Sequence, residues 1–374
     1  MPMFGRGLVM AEGDEWARHR HIIAPAFSAT NLNIRASSMH ALLTLTLTVG
    51  LQDMIGLMQE TTAKMLAEWG DAVAAAGNGL GAVVDVERGV VRNAAEIIAK
   101  ASFGVADDED EAGARVFRKL QAMQAMLFQR ASGWRTTEAT AGAERRLTTR
   151  ELVDECKTFF FGGHETTALA LSWTLLMLAA HPDWQDALRE EVARELGDGD
   201  HLDAAALGRL TKMGWVMSEV LRLYPPAPNA QRQALEDVAA EGMAAAAGVA
   251  IPRGTNMWVD VVAMHHDVEL WGADAHEFRP ERFGRDPVEG GCRHRMGFLP
   301  FGFGGRICTA ATSRPWSTAS CWPCCCTGSG CRWRPSTGTR PRSCSRSGPP
   351  MASSSASCRW SMLRLLLPRH HRPS

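Results

Sequence analysis

The sequence predicts a mainly α-helical fold with small β-sheets. Three observations predict it. Most segments carry a helical period, one apolar segment near the middle is long enough for a helix of about 30 residues, and alternation replaces the helical period after Gly248. In chain order, "EWARHRHIIAPAF" (Glu15 to Phe27) reads as a short helix stopped at Pro25. "IRASSMHALLTLTLTVGLQ" (Ile34 to Gln52) shows no period and reads as an insertion. Gly89 to Gly104 is amphipathic and ends in glycine, and Gly113 to Phe128 is a second such segment. The acidic run Asp107 to Glu111 between them reads as a solvated loop.

The strongest segment is "LTTRELVDECKTFFFGGHETTALALSWTLLMLAAHP", Leu147 to Pro182. Thr148 or Thr149 caps it, Glu151 stands where a capping box needs an acid, and apolar residues most of the way round predict a buried central helix. Two helices follow, in "DWQDALREEVARELG" and "TKMGWVMSEVLRLYPP". "GVAIPRGTNMWVDVVAMHH" (Gly248 to His266) then alternates around the turn Pro252-Arg253-Gly254 and reads as short strands.

With 45% hydrophobic and 22% charged residues, the chain of 374 residues can bury a sizeable core. A formal net charge of -1 gives no electrostatic reason to expect nucleic acid. No internal repeat is present. "MPMFGRGLVMAEGDEW" has the marks of neither a signal peptide nor an anchor, and the apolar run Ala41 to Leu51 is about half the roughly 20 residues of a spanning helix. The expectation is that nothing in this chain crosses a membrane. Of the ten cysteines, Cys156, Cys292 and Cys308 are dispersed and seven crowd the region from Cys321 onward. The C-x-x-C spacing within "CWPCCC" lacks both the βα turn of a redox pair and the second ligand pair of a zinc site.

Three places carry chemistry. In the central segment, Gly162-Gly163 costs about 1 kcal/mol per glycine against alanine, so something must offset it. Glycine admits a flat group close to the backbone. Thr166, one turn on, can bond back to a carbonyl, and Glu165 beside it is an acid able to relay protons. Contact between helices through small residues is an equal reading. In "SEVLRLYPP", Glu219 and Arg222 lie at i, i+3. Apolar neighbours and Pro225-Pro226 indicate burial, and Arg282 of "FRPERF" can share the carboxylate.

The third place is "FGFGGRIC" (Phe301 to Cys308). Gly302, Gly304 and Gly305 permit backbone geometry that other residues avoid, and amides in such a loop can hold a thiolate. Arg306 is a cation suited to a cofactor carboxylate. One thiolate, a glycine loop and an arginine fit haem iron, since zinc calls for more ligands. A lone cysteine can equally be a buried structural thiol.

In order, the chain holds Trp16-x-x-x-Arg20, "GGHETT", "EVLR", "PPAPNAQR", "FRPERF" and "FGFGGRIC". It resembles the cytochrome P450 monooxygenases, and within them the plant microsomal clan that hydroxylates hormones and other small lipophilic molecules. The resemblance implies haem b with Cys308 as axial thiolate, Phe301 shielding it and Gly304 shaping the loop. It implies that Arg306, Arg232, Trp16 and Arg20 hold the haem propionates. Glu165 and Thr166 match the acid–alcohol pair that delivers protons, and Glu219, Arg222 and Arg282 match a buried structural triad. The reaction implied is insertion of one oxygen atom into a C–H bond of a small lipophilic substrate. The resemblance further implies electrons from NADPH through a reductase, a monomer, and, for the family, the endoplasmic reticulum membrane, with no anchor in this chain.

Departures from the family are large. Most of the first sheet and the first helices have no counterpart, and residues 105–146 replace a much longer pocket roof. Missing and extra blocks read as misplaced exon boundaries. After Glu289 there is no Asp, Glu or Lys, which is foreign to a folded surface. The family has a Gly two residues after the Cys, where this chain has Ala310. Reading displaced synonymous codons from Thr309 onward yields GGNFATVEHRKLLAVLLHRFR and, further on, ELLTLRPAHG, both like family endings. Residues 1–309 are thus expected to form a partial P450 domain and residues 310–374 an out-of-frame, disordered tail. Losing the helix behind the loop exposes core beyond the 5–15 kcal/mol a domain has to spare, so poor haem retention is expected. Two rivals stand beside the monooxygenase. A haem-thiolate isomerase or lyase needs no proton relay, and Thr166 argues against it. A remnant without haem is the other.

Overall fold

The computed structural model describes residues 5–24, 40–76, 82–103, 147–196, 204–239, 250–286, 288–309, 311, 332–335 and 363–366. They belong to two compact units, Met1–Thr211 with Thr312–Ser374, and Lys212–Ala311. Along the chain the helices are α1 Gly13–Ile23, α2 His40–Ala76, α3 Val86–Phe103, α4 Thr149–Ala180, α5 Pro182–Leu196, α6 Ala204–Arg209, α7 Thr211–Leu223, α8 Val261–His265, α9 Val268–Trp271 and α10 Arg282–Arg285. The strands are β1 Ala82–Val84, β2 Asn229–Gln233, β3 Val238–Ala239, β4 Ala250–Ile251, β5 Asn256–Asp260, β6 Arg332–Pro335 and β7 Leu363–Leu366. The class is the one expected, mainly α with small sheets.

In the first unit, α4 starts as its sequence dictates. The Thr148 hydroxyl accepts from the Glu151 amide at 3.3 Å, and the Glu151 carboxylate accepts from the Thr148 amide at 2.7 Å. The buried residues Ala168, Leu171, Leu175 and Leu178 give α4 its core stripe, and α3 packs along it with Ala94 and Ile97 buried. Also packed on α3 is α2, which buries Ile55, Met58, Met65, Trp69 and Val73 at helical spacing. Asn93 of α3 donates to the Thr62 hydroxyl at 3.1 Å.

Residues 40–52, expected to be an aperiodic insertion, are the first turns of α2. The helix is carried by the periodic apolar positions from Ile55 onward, with which those turns are continuous. Segments 104–146 and 34–39 lie outside the described residues, and with them the helix expected at Gly113 to Phe128. Within 310–374, where no fold is expected, β6 and β7 are strands, and β7 pairs antiparallel with both β1 and β6. Among the described residues, no helix is long and apolar enough to cross a membrane.

The second unit holds two antiparallel pairs, β2 with β5 and β3 with β4. The Pro252-Arg253-Gly254 turn closes by Thr255 N–H to the Pro252 carbonyl at 3.1 Å, with Gly254 at φ 86°. The strand expected to run on to His266 stops at Asp260. The Asp260 carboxylate caps the Ala263 amide at 2.9 Å and starts α8, so residues 261–265 are helical. Trp271, Ala275, Phe283, Cys292 and Phe298 form the unit's apolar core.

Candidate functional site

The loop Phe301–Cys308 is built by two glycine reversals. Gly302 and Gly304 have φ of 75° and 74°, a region side chains other than glycine rarely adopt, whereas Gly305 is not among the positive-φ glycines. The Gly302 amide donates to the Leu299 carbonyl at 3.1 Å, and the Cys308 amide to the Phe301 carbonyl at 2.9 Å. Residues 304–306 form a single 3-10 turn between these bonds. Cys308 is exposed, so it is not the buried structural thiol that a lone cysteine can be. Its neighbours Phe303 and Ile307 are 53% and 36% exposed, and Arg306 is exposed as well.

Glu219, Arg222 and Arg282 come together in the same unit. The fully buried Arg222 binds both oxygens of the fully buried Glu219 through Nε and Nη2, at 2.7 and 2.8 Å. Its other donors reach the carbonyls of His265, Ala275 and Glu277 at 2.9, 2.6 and 3.1 Å, and its guanidinium carbon lies 5.0 Å from the Trp271 ring centroid. Arg282 Nε stands 3.4 Å from Glu219 Oε1 without hydrogen-bond alignment, while its Nη2 pairs with Asp274 at 2.9 Å. Arg232 is exposed on β2, and its Nη1 donates to the neighbouring Gln231 carbonyl at 2.7 Å.

In the first unit, the Thr166 hydroxyl donates to the Gly162 carbonyl at 2.7 Å, the back-bond its spacing predicts. The Glu165 carboxylate is 45% exposed and lies 3.7 Å from His164 Nε2. His164 Nδ1 donates to the Phe160 carbonyl at 2.6 Å. A Cβ on Gly163 would stand 2.9 Å from Ile98 Cδ1 of α3, so this glycine serves helix contact. A Cβ on Gly162 would meet nothing within 4 Å among the described residues. Among the described residues, helix contact accounts for Gly163 and not for Gly162.

Trp16 and Arg20 are half-buried, one turn apart on α1. Between them, His19 is fully buried and its Nδ1 meets Glu155 at 2.6 Å. Arg18 pairs with Glu151. Burial alone would raise the Glu151 carboxyl, yet the Thr148 amide and hydroxyl, Arg18 and His19 outweigh it and hold it down at about 2. Burial dominates at Glu155 and raises its carboxyl. The His19–Glu155 link and His164 escaped the sequence reading. Their one signal is position, since His19 falls three residues after Trp16 and His164 directly precedes Glu165.

Haem is flat and largely apolar, needs an axial ligand for its iron and carries two carboxylates. The loop offers an outward thiol, exposed apolar side chains on either side of the turn and a guanidinium, and a Cβ at Gly304 would find open space among the described residues. Among the described residues, the one cluster of His, Cys and carboxylate ligand atoms close enough to share an ion is Glu15, His19 and Glu151, so Cys308 belongs to no multi-ligand set. This donor set fits a single-thiolate haem ligand.

Comparison with known proteins bears on the same residues. The family model for cytochrome P450 matches residues 118–309. Cytochrome P450 734A4 of Oryza sativa subsp. japonica is 33% identical, over 81% of this chain and 64% of that protein. A cytokinin hydroxylase of Arabidopsis thaliana is 31% identical over 81% of this chain and 62% of its own length. Cytochrome P450 714C3 of Oryza sativa subsp. japonica is also 31% identical, over 82% and 63%. The chain thus spans somewhat under two thirds of the length of these curated relatives. With the match running over the central helix, the Glu219–Arg222 pair and the thiol loop, this chain belongs to the cytochrome P450 family.

Proposed function

We propose that the chain is a haem-dependent monooxygenase that hydroxylates a small lipophilic substrate with dioxygen and electrons drawn from NADPH through a reductase. The observation that carries the proposal is the glycine-turned loop with its exposed Cys308. Relatives named as hydroxylases support the same reaction class. Cys308 would ligate the iron, with Arg306, Arg232, Trp16 and Arg20 as partners of the haem carboxylates. When bound, the group supplies dioxygen activation at an iron whose thiolate ligand donates electron density.

The chain's own residues then manage protons. Hydroxylation forms one C–O bond and one water, and consumes two electrons and two protons. The Thr166 hydroxyl parks its proton on the Gly162 carbonyl, leaving its oxygen lone pairs able to accept from water. Glu165 stands half-exposed beside it and can draw protons from solvent. His164 presents Nε2 toward Glu165, a second place to hold a proton.

A second reading, a chain that does not retain haem, is favoured by two observations. The family match ends at residue 309, and the chain after Glu289 has no Asp, Glu or Lys. Residues 310–374 are then an out-of-frame tail. The absorption spectrum of the expressed chain, reduced and exposed to carbon monoxide, separates the two. A thiolate-type band supports the enzyme, and absence of incorporated haem overturns it for this chain. Sequencing the transcript across Cys308 and near Gly133 then tells whether a restored frame supplies the missing helix.

A further inference from the structure

His265 closes α8 and is wholly buried, remote in sequence from the thiol loop. The Leu299 amide donates to its Nε2 at 2.9 Å. A backbone amide can only donate, so Nε2 is bare and the proton of the neutral ring sits on Nδ1. Nδ1 in turn donates to the Arg222 carbonyl at 3.1 Å. The residue's own carbonyl accepts from Arg222 Nη1 at 2.9 Å, so His265 is bound to Arg222 through both side chain and backbone. Burial, reinforced by the Arg222 charge, lowers the imidazole to about 4, against the support of the Arg222 carbonyl, and keeps the ring neutral. Its ring packs 5.3 Å from Phe298 and 6.5 Å from Trp271, centroid to centroid.

From Leu299 the bonds continue into the loop. The Leu299 carbonyl takes the Gly302 amide, and the Phe301 carbonyl takes the Cys308 amide. A hydrogen-bonded path therefore leads from the Glu219–Arg222 pair through His265 to the start of the turn that presents the thiol. Both ring nitrogens are thereby matched, as burial requires of a neutral imidazole.

We infer that His265 is the positioning residue of the thiol loop: as the Nδ1–H tautomer it ties the Leu299 amide to the Arg222 carbonyl and sets where Phe301 and Cys308 stand. The inference rests on the haem-thiolate reading only for the purpose that this position serves.

Two substitutions in the full chain test it. In His265→Gln the amide oxygen reaches the Nε2 position and still accepts from Leu299. In His265→Asn the amide nitrogen keeps the bond to Arg222 and leaves Leu299 without an acceptor. Peptide-resolved hydrogen exchange over the loop and the alkylation rate of Cys308 by iodoacetamide are both read without haem. His265→Asn is expected to raise both by roughly five- to tenfold, with His265→Gln close to the unsubstituted chain. Equal behaviour of the two variants, in either direction, overturns the inference. Should either variant fail to fold, nitrogen NMR of the unsubstituted chain decides: a protonated Nδ1 with bare Nε2 at neutral pH supports it, and a protonated Nε2 overturns it. Haem content is measured on the same samples. An ordered loop without haem would sink the enzyme reading while leaving the role of His265 intact.

Discussion

Arg222 meets Glu219 through two hydrogen bonds of 2.7 and 2.8 Å at a place where neither side chain has any exposure. With the carbonyls of His265, Ala275 and Glu277, all five guanidinium donors have acceptors. Arg222→Met is therefore expected to cost about 3–5 kcal/mol, because Glu219 stays buried and loses its two-pronged partner. Arg222→Lys recovers only part, since an ammonium has three donors. Arg282→Ala should cost less, under about 2 kcal/mol, because its Nε is unaligned with Glu219 and its partner Asp274 is 26% exposed. Urea midpoints of the three variants check the order, and equal losses would contradict it.

The glycine pair of α4 yields a prediction with two signs. Gly162→Ala gains helix propensity and meets no described neighbour, so the chain should become about 0.5–1 kcal/mol more stable. Gly163→Ala gains less, since the Ile98 methyl must move aside. If Gly162 is kept small for a flat cofactor or its substrate, the same Gly162→Ala lowers occupancy of the haem-loaded protein while raising stability. Thermal unfolding and substrate-titration spectra read the two quantities separately. Higher stability with unchanged binding would remove Gly162 from the site.

What the sequence makes legible is local. The Thr148–Glu151 capping box, the bounds of α4 and the Glu219–Arg222 spacing each depend on residues within one or two turns of each other. That Arg282 could share the Glu219 carboxylate was also read from the sequence, and in the structure its Nε stands 3.4 Å from Glu219 Oε1 without hydrogen-bond alignment. The end of β5 was not legible, because the apolar alternation runs on and only the Asp260 side chain, bonding to Ala263, turns strand into helix. Nor was α2 before Ile55, where no period marks the turns that continue the helix. His265 was out of reach for another reason. Its acceptor role depends on Leu299 arriving beside it, and no short-range pattern encodes a contact between residues 34 apart.

Acid stability follows from the groups around α1 and the start of α4. Glu151 has an ordinary value of 4.5 and lies at about 2 in the fold, so folding favours its charged form. That contribution is complete above about pH 4.5 and is lost as the pH falls toward 2. Glu155 has the opposite sign, since its raised carboxyl stabilises the protonated state and loses that contribution as pH rises. His265 acts in a higher window, its contribution fading as pH falls from 6.5 to about 4. Glu151→Gln keeps an oxygen for the Thr148 amide but cannot titrate. Its unfolding free energy should fall less steeply than that of the unsubstituted chain below about pH 4.5. Denaturant midpoints on either side of that pH check this, and parallel slopes would refute it.

The hydroxyl of Thr166 separates a helix ornament from a proton carrier. Its bond to the Gly162 carbonyl is on an exposed surface, and that carbonyl also serves the helix, so Thr166→Val should change stability by less than about 1 kcal/mol. A relay role predicts a much larger effect on chemistry. In haem-loaded protein, product formed per NADPH consumed should drop on the order of 10²-fold in Thr166→Val and survive in Thr166→Ser, which keeps the oxygen. Glu165→Gln should lower turnover and displace its pH profile, because the remaining amide can hold a bond but cannot pass a proton. A Thr166→Val protein with the original product yield would reduce the Gly162–Thr166 bond to local helix geometry.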